Sequence, residues 1–339
     1  MSRHSDLQAL PFPVLFADIG GTNARFAVLS DAHATLRHFD TVATRDYPNI
    51  DEALAETVID RTALRPRSLM FALAGPIGPE QTQLTNCPWV VAPKRLIEAF
   101  DLDHVILFND FEALALALPG LVDDDLTPIG DGLPPHDGTK VVIGPGTGLG
   151  AAGLVHAAHM WVPVPGEGGH IDLAPVTARD LKIWPHIERP GERVSGETLI
   201  CGSGMLRLYR AICAADGLEP VLESPADVTA AADDGDQSAR ETLDLFAEHL
   251  GRVAGNLAIT FLAKGGVYLA GGIAPRIADV LASGRFRAAF EDKQPHEALM
   301  AEMATAVIVH DRPALAGLVD FARTPTRFGV HLEGRHWTR

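Results

Sequence analysis

Two short glycine turns, each flanked by apolar, β-prone runs, constrain this chain more than any other feature. The first, Gly20-Gly21-Thr22-Asn23, separates residues 14–17 from 25–29. The second lies inside "KVVIGPGTGLGAAGLV", residues 140–155. Apolar residues on both sides of a turn predict strand–turn–strand, a hairpin, whereas a P-loop or dinucleotide site is strand–turn–helix. The first turn also lacks the lysine with which a P-loop reaches terminal phosphates. Two hairpins of one design, one in each half of a 339-residue chain, point to a duplicated architecture of about two domains.

The remaining pattern is α/β. Helical spacing runs over residues 50–64, and "SLMFALAG" (68–75) is a buried-strand pattern. "HVILF" (104–108) predicts another strand, followed at once by the helical "DFEALALAL" and the stop Pro119-Gly120. Residues 121–139, rich in Asp, Gly and Pro, mark a boundary or long connection. A long helix is predicted over 237–263, and "GVYLAGGIAP" (266–275) as a strand entering a glycine turn.

A net charge of −16 argues against a nucleic-acid partner, because phosphate backbones select basic surfaces. It also disfavours an anionic membrane. Cys87, Cys201 and Cys213 form no C-x-x-C pair, which suits a reducing cytoplasm. No apolar stretch has the length of a membrane span, and Pro11 and Pro13 break the short run before Asp18, unlike a signal peptide. A soluble, cytoplasmic protein is expected.

Glycines let a backbone approach an anion so that consecutive N–H groups converge on it. Thr22, Asn23 and Thr147 would add side-chain hydrogen bonds, although either turn taken alone reads first as an ordinary tight β-turn. Asp18, directly before the first turn, alters that balance. A carboxylate beside a phosphate cradle makes sense when Mg²⁺ lies between them, bound through water; Arg25 could assist.

In "FNDFEA" (108–113), Asn109-x-x-Glu112 is a capping-box pattern. The functional alternative makes Asp110 a general base at the mouth of a strand. In "PGEGGHID" (165–172), Glu167 and His170 sit among glycines where neither packing nor helix formation rewards them. A carboxylate with an imidazole suits adjacent sugar hydroxyls, and two ligands without a third nearby do not make a zinc site. His156 and His159 are expected at the surface, the four tryptophans in core or interface, and "ADDGD" (232–236) at a solvated helix end.

Taken in order, "DIGGTNARFAVL", "LTNCPW", "FNDFEALALALP", "GPGTGLG", "PGEGGHIDLAP", "LYRAI", "AGGIAPR", "FRAAFEDK" and "VHDRPAL" resemble the bacterial glucokinase family of the hexokinase, actin and heat-shock-ATPase superfamily. The cysteine-rich motif of the repressor–kinase sugar kinases is missing, so the resemblance is to the zinc-free branch. It implies a two-domain actin-like ATPase (ribonuclease H-like) α/β fold with an interdomain cleft. The domains would be 12–119 with 311–325, and 120–310, with 326–339 as an extension. It implies phosphate and Mg²⁺ handling by Asp18, Gly20, Gly21, Thr22, Asn23, Gly146, Thr147 and Gly148, and adenosine contacts by Gly271 and Gly272. Asn109 and Asp110 match the sugar-binding pair, with Asp110 as base. Asn86, Glu167, His170 and Glu197 match further sugar contacts, with Glu192 close to the last in sequence.

The implied reaction is transfer of the γ-phosphate of ATP to the 6-hydroxyl of glucose, by a homodimer. Another hexose or aminosugar, or a sensor without turnover, are the rivals. The chain departs from the family in lacking a Pro-Gly-Leu-Leu-Gly run near its end and extending past it.

Overall fold

The structure is a computed structural model that describes residues 9–84 and 87–339. Up to Leu121 the chain forms β1 (Val14–Ile19), β2 (Asn23–Leu29), β3 (Arg37–His38), β4 (Val42–Ala43), α1 (Ile50–Thr57), β5 (Ser68–Leu73), β6 (Thr82–Gln83), β7 (Val90–Val91), α2 (Pro93–Phe100), β8 (His104–Asn109) and α3 (Asp110–Ala117). There follow β9 (Leu126–Ile129), β10 (Lys140–Pro145), β11 (Leu149–Ala157), β12 (Met160–Gly166), α4 (Ala178–Ile183), α5 (Gly196–Leu199), α6 (Gly202–Asp216), α7 (Pro225–Asp233) and α8 (Gln237–Phe261). The last elements are β13 (Val267–Leu269), α9 (Ala278–Ala282), α10 (Arg285–Glu291), α11 (Glu297–Ala301), β14 (Thr305–Ile308), α12 (Pro313–Arg323) and β15 (His336–Thr338).

These elements divide into two compact units. One comprises the chain up to Leu121 with Leu154–Pro165 and Asp311–Arg339; the other comprises Val122–Gly153 and Gly166–His310. The first unit's main sheet has the order β15-β8-β5-β1-β2-β3, with β4 beside β2. Its β1, β5 and β8 are parallel and the β1–β2 hairpin antiparallel. Every residue of β5 is buried, as a parallel strand covered on both faces requires. The second sheet, β12-β11-β10-β13-β14-β9, repeats the order: a hairpin with a glycine turn, then two parallel strands beyond its first strand.

Helix α3 is apolar nearly all round and buried from Glu112 to Ala117, so it must be covered on several sides. Helix α12 supplies one cover. A Cβ on Gly317 would lie 2.0 Å from the Ala113 carbonyl oxygen, so only glycine permits that approach. The terminal helix therefore forms despite the altered glycine run.

Three local expectations change. The helical spacing over 50–64 gives way after Thr57 to a 3₁₀ turn at Ile59–Arg61, where the β-branched pair Val58-Ile59 disfavours continuation. The first unit runs to Leu121 before the chain enters the second, and the segment after it is more than a connection. It contributes edge strand β9, antiparallel to β14, whose Pro128 is tolerated because an edge needs fewer donors. The C-terminal extension is likewise structured: β15 pairs antiparallel with β8, His336 opposite Ile106 and Thr338 opposite His104.

That pairing brings His104 Nδ1 within 2.8 Å of His336 Nε2, the rings stacked. Burial lowers the pKa of both imidazoles. Arg67 lowers His104 further while Asp103 opposes it, and His104 lowers His336. The unfolded chain then takes up protons first as pH falls through the ordinary value near 6.5, so stability is fully present above that pH and lost below it. Comparing thermal unfolding of wild type and His336→Phe between pH 7.5 and 5.5 tests this: the substitution is expected to flatten the wild-type loss. Equal slopes would remove the pair from the account.

Candidate active site

The register of the first hairpin places Asp18 directly opposite Arg25, and the two form an ion pair at 3.1 Å. Burial pushes the Asp18 carboxyl above its ordinary range, opposed by the charge and hydrogen bond of Arg25. The turn closes when the Gly20 N–H donates to the Asn23 carbonyl at 3.0 Å, which leaves Thr22 and Asn23 exposed. Thr44, which no spacing in the sequence singles out, braces it. Its hydroxyl donates to the Gly21 carbonyl at 3.0 Å and its N–H to that of Thr22 at 2.9 Å. Among the described residues no three His, Cys, Asp or Glu side chains gather as a metal cage. A lone carboxylate of this kind fits a Mg²⁺ ion held mainly by phosphates and water.

In the same unit, β8 passes straight into α3 at Asn109. The Asn109 carboxamide oxygen accepts from the N–H groups of Phe111 and Glu112 at 3.0 and 3.2 Å. Its Nδ2 donates to the Gly75 carbonyl just past β5, at 3.3 Å. Capping thus fixes the asparagine side chain and orients the turn on which Asp110 opens the helix. Asp110 is half-buried, with Oδ1 accepting from the Phe111 N–H at 3.0 Å. The Glu112 carboxylate takes a hydrogen bond from Arg335, a partner that the capping-box pattern does not reveal.

In the second unit, the Gly146 N–H donates to the Gly148 carbonyl at 2.8 Å and tightens the β10–β11 turn, leaving Thr147 exposed. Gly202 braces this turn through its N–H on the Gly146 carbonyl at 2.9 Å. Beside it stands Glu197 on α5, whose Oε2 accepts from the Leu149 N–H at 2.8 Å. His170 Nε2 lies 3.9 Å from Glu197 Oε1 and 3.9 Å from Glu167 Oε2. Glu167, His170 and Glu197 are therefore one cluster. Because β10 and β13 are parallel neighbours, the turn after β13 adjoins β10. There Gly271 has φ 81°, and a Cβ would meet the Pro145 carbonyl oxygen at 2.5 Å; Gly272 is exposed with open space beside it. Asn86 lies outside the described residues.

Comparison with known proteins gives a consistent result. The family model described as Glucokinase matches residues 15–325. A glucokinase of Agrobacterium fabrum is 54% identical over 338 residues, covering 99% of each chain. The crystal structure of a glucokinase from an Antarctic psychrotroph superposes with a TM-score of 0.81 at 32% identity, over 91% of this chain and 98% of that one. A ROK family glucokinase from Streptomyces griseus, in complex with glucose and AMPPNP, shares the fold at a TM-score of 0.60 and 20% identity, over 92% of this chain and 99% of that one. The fold is thus the two-domain actin-like ATPase fold of these kinases.

The second-unit cluster makes a direct prediction. A Cβ at position 148 would lie 2.4 Å from Glu197 Oε2. Gly148→Ala should therefore displace that carboxylate and break its bond to the Leu149 N–H, costing about 1.5–3 kcal/mol for a charged hydrogen bond. Chemical denaturation measures this; an unchanged unfolding free energy would show that Glu197 is not held as described.

Proposed function

The chain belongs to the glucokinase family, and on that premise we propose that it transfers the γ-phosphoryl group of ATP to the 6-hydroxyl of glucose, giving glucose 6-phosphate and ADP. The observation that carries this reading is the Asn109–Asp110 turn. It presents a half-buried carboxylate at the carboxyl end of a buried parallel strand, where open α/β sheets bind their ligands.

In this reading Asp110 accepts the proton of the 6-hydroxyl as that oxygen bonds to the γ-phosphorus and the bond to the β-phosphate oxygen breaks. Asn109, Glu167, His170 and Glu197 hold the other hydroxyls, with Asn86 a further contact. The cap on Asn109 and the Leu149 N–H on Glu197 fix two of these side chains beforehand, which lowers the entropy lost on binding. The turns containing Gly20, Gly21, Thr22 and Asn23, and Gly146, Thr147 and Gly148, direct N–H and hydroxyl groups at phosphate. Gly271 and Gly272 let the nucleoside lie close to backbone. Mg²⁺, reached by Asp18 through water, would neutralise charge developing on the transferred group.

We assign Asp18, the first phosphate turn, Asn86 and the Asn109–Asp110 pair to a small domain, 12–119 with 311–325, and the remaining contacts to 120–310. We further propose a cytoplasmic homodimer acting at the entry to glycolysis. Three free, buried cysteines suit a reducing compartment, and among the described residues no helix is long and apolar enough to cross a membrane. The dimer rests on the family resemblance.

ADP release with ATP and Mg²⁺, with and without glucose and with the sugar product identified, tests the reaction. Glucose-dependent ADP matched by glucose 6-phosphate is expected; another sugar giving the higher kcat/KM would reassign the substrate. Asp110→Ala should keep glucose binding while kcat falls about 10²–10⁴-fold, the usual contribution of a general base. Near-normal turnover would end its assignment as base.

A further inference from the structure

The family model's match ends at residue 325, yet the chain beyond it reaches the turn on which Asp110 stands. Phe328 forms a bridge with Trp161, and the Gly329 N–H donates to the Trp161 carbonyl at 2.9 Å. Val330 and Leu332 are buried. The chain then turns so that the Arg335 carbonyl accepts from the Leu107 N–H at 3.0 Å, and β15 continues along β8 with Trp337 packed on the first unit's core. At its far end the Arg339 N–H donates to the Asp103 carbonyl at 3.1 Å. This segment is a strap laid along the strand that delivers Asn109 and Asp110.

The strap carries one side chain into the buried side of that turn. Arg335 Nη1 donates to Glu112 Oε2; the Glu112 side chain is fully buried and that of Arg335 only 16% exposed. The guanidinium also lies over the Phe108 ring, 5.5 Å from its centroid. Burial raises the Glu112 carboxyl, opposed first by the charge and hydrogen bond of Arg335. Asp110 and Glu112 are the acidic residues of the first turn of α3. A carboxylate two residues from the proposed base is therefore held in its buried position partly by the Asn109 backbone and mainly by a residue more than two hundred positions away.

We propose that Arg335 is a positioning residue for phosphoryl transfer: by holding buried Glu112 it keeps the first turn of α3 wound, and with it Asn109 and Asp110. It touches neither sugar nor nucleotide in this role. The proposal rests on the glucokinase reading above for its catalytic consequence, while its mechanical part concerns α3 alone.

Two measurements on the full-length chain test it. In Arg335→Ala, kcat per glucose-binding site, with sites counted calorimetrically, should fall about 10- to 100-fold, the range for a small misplacement of catalytic groups. KM for ATP should stay within about twofold, as for an interaction not used in nucleotide binding. Arg335→Lys should recover part of kcat, since a point charge replaces a fork. Hydrogen–deuterium exchange at the amides of Phe111, Glu112 and Ala113 should quicken in Arg335→Ala while α1 stays as in wild type. If Arg335→Ala does not fold, Arg335→Lys decides by the same two readouts. Wild-type kcat per site, or unchanged exchange at 111–113, overturns the proposal even where the melting temperature drops. Faster exchange in a protein whose wild type does not phosphorylate glucose would overturn the catalytic role through failure of the glucokinase reading, leaving the strap's hold on α3 intact.

Discussion

The in-register parallel pairing of β1, β5 and β8 is the constraint on which the placement of the first unit's candidate site residues depends. Ile19, Leu73 and Asn109 are consecutive partners across the three strands, so all three strands end on the same side of the sheet. The glycine turn after β1, the Gly75 carbonyl after β5 and the Asn109–Asp110 turn after β8 emerge there together. The Asn109 carboxamide then links two of these ends, donating to Gly75 while capping α3. One side chain thus performs a structural task by which the neighbouring carboxylate acquires a fixed direction. Capping by Asn109 and the proposed role of Asp110 as base, alternatives when the motif is considered alone, are compatible in the folded chain.

The second unit reuses the strand order with a different chemical load. Near the ends of its aligned strands Ile143, Leu269 and Val307 are consecutive apolar partners. The polar groups come instead from the segment after β12 and from α5. They are anchored where Glu197 takes the Leu149 N–H, the first residue after the second glycine turn. The same hydrogen bond therefore defines the turn's far side and the position of a proposed sugar contact.

Much of this was legible in the sequence because it is local. Hairpins with glycine turns, the buried strand before α3, and the glycine-rich setting of Glu167 and His170 depend on residues within a few positions of each other. What was not legible depends on long-range register. Arg335 meets Glu112 only because β15 adds to the edge at β8, and nothing in "HLEGRHWTR" announces a strand. Thr44 braces the first turn only because β4 pairs with β2. The spacing over 50–64 overstates the helix because apolar residues continue through Val58 and Ile59, which periodicity counts as helical and side-chain branching does not favour. The Asp18–Arg25 pair lies between these cases: it follows from the hairpin register, but only once the turn is known to span four residues.

The absence of a P-loop lysine can now be set against the charges present. The described cation nearest the first turn in sequence, Arg25, is already paired with Asp18, and the chain as a whole carries −16. A polyphosphate approaching such a surface gains little from long-range attraction, which is weak beyond about 10 Å at ordinary ionic strength. On the proposed reading, binding draws on short-range, directional groups, and backbone N–H dipoles in tight glycine turns are groups of that kind. They impose a geometric condition that a flexible lysine does not: the turns have to be held rigid before the ligand arrives. The braces found at both turns, Thr44 on the first and Gly202 on the second, meet that condition within each unit separately.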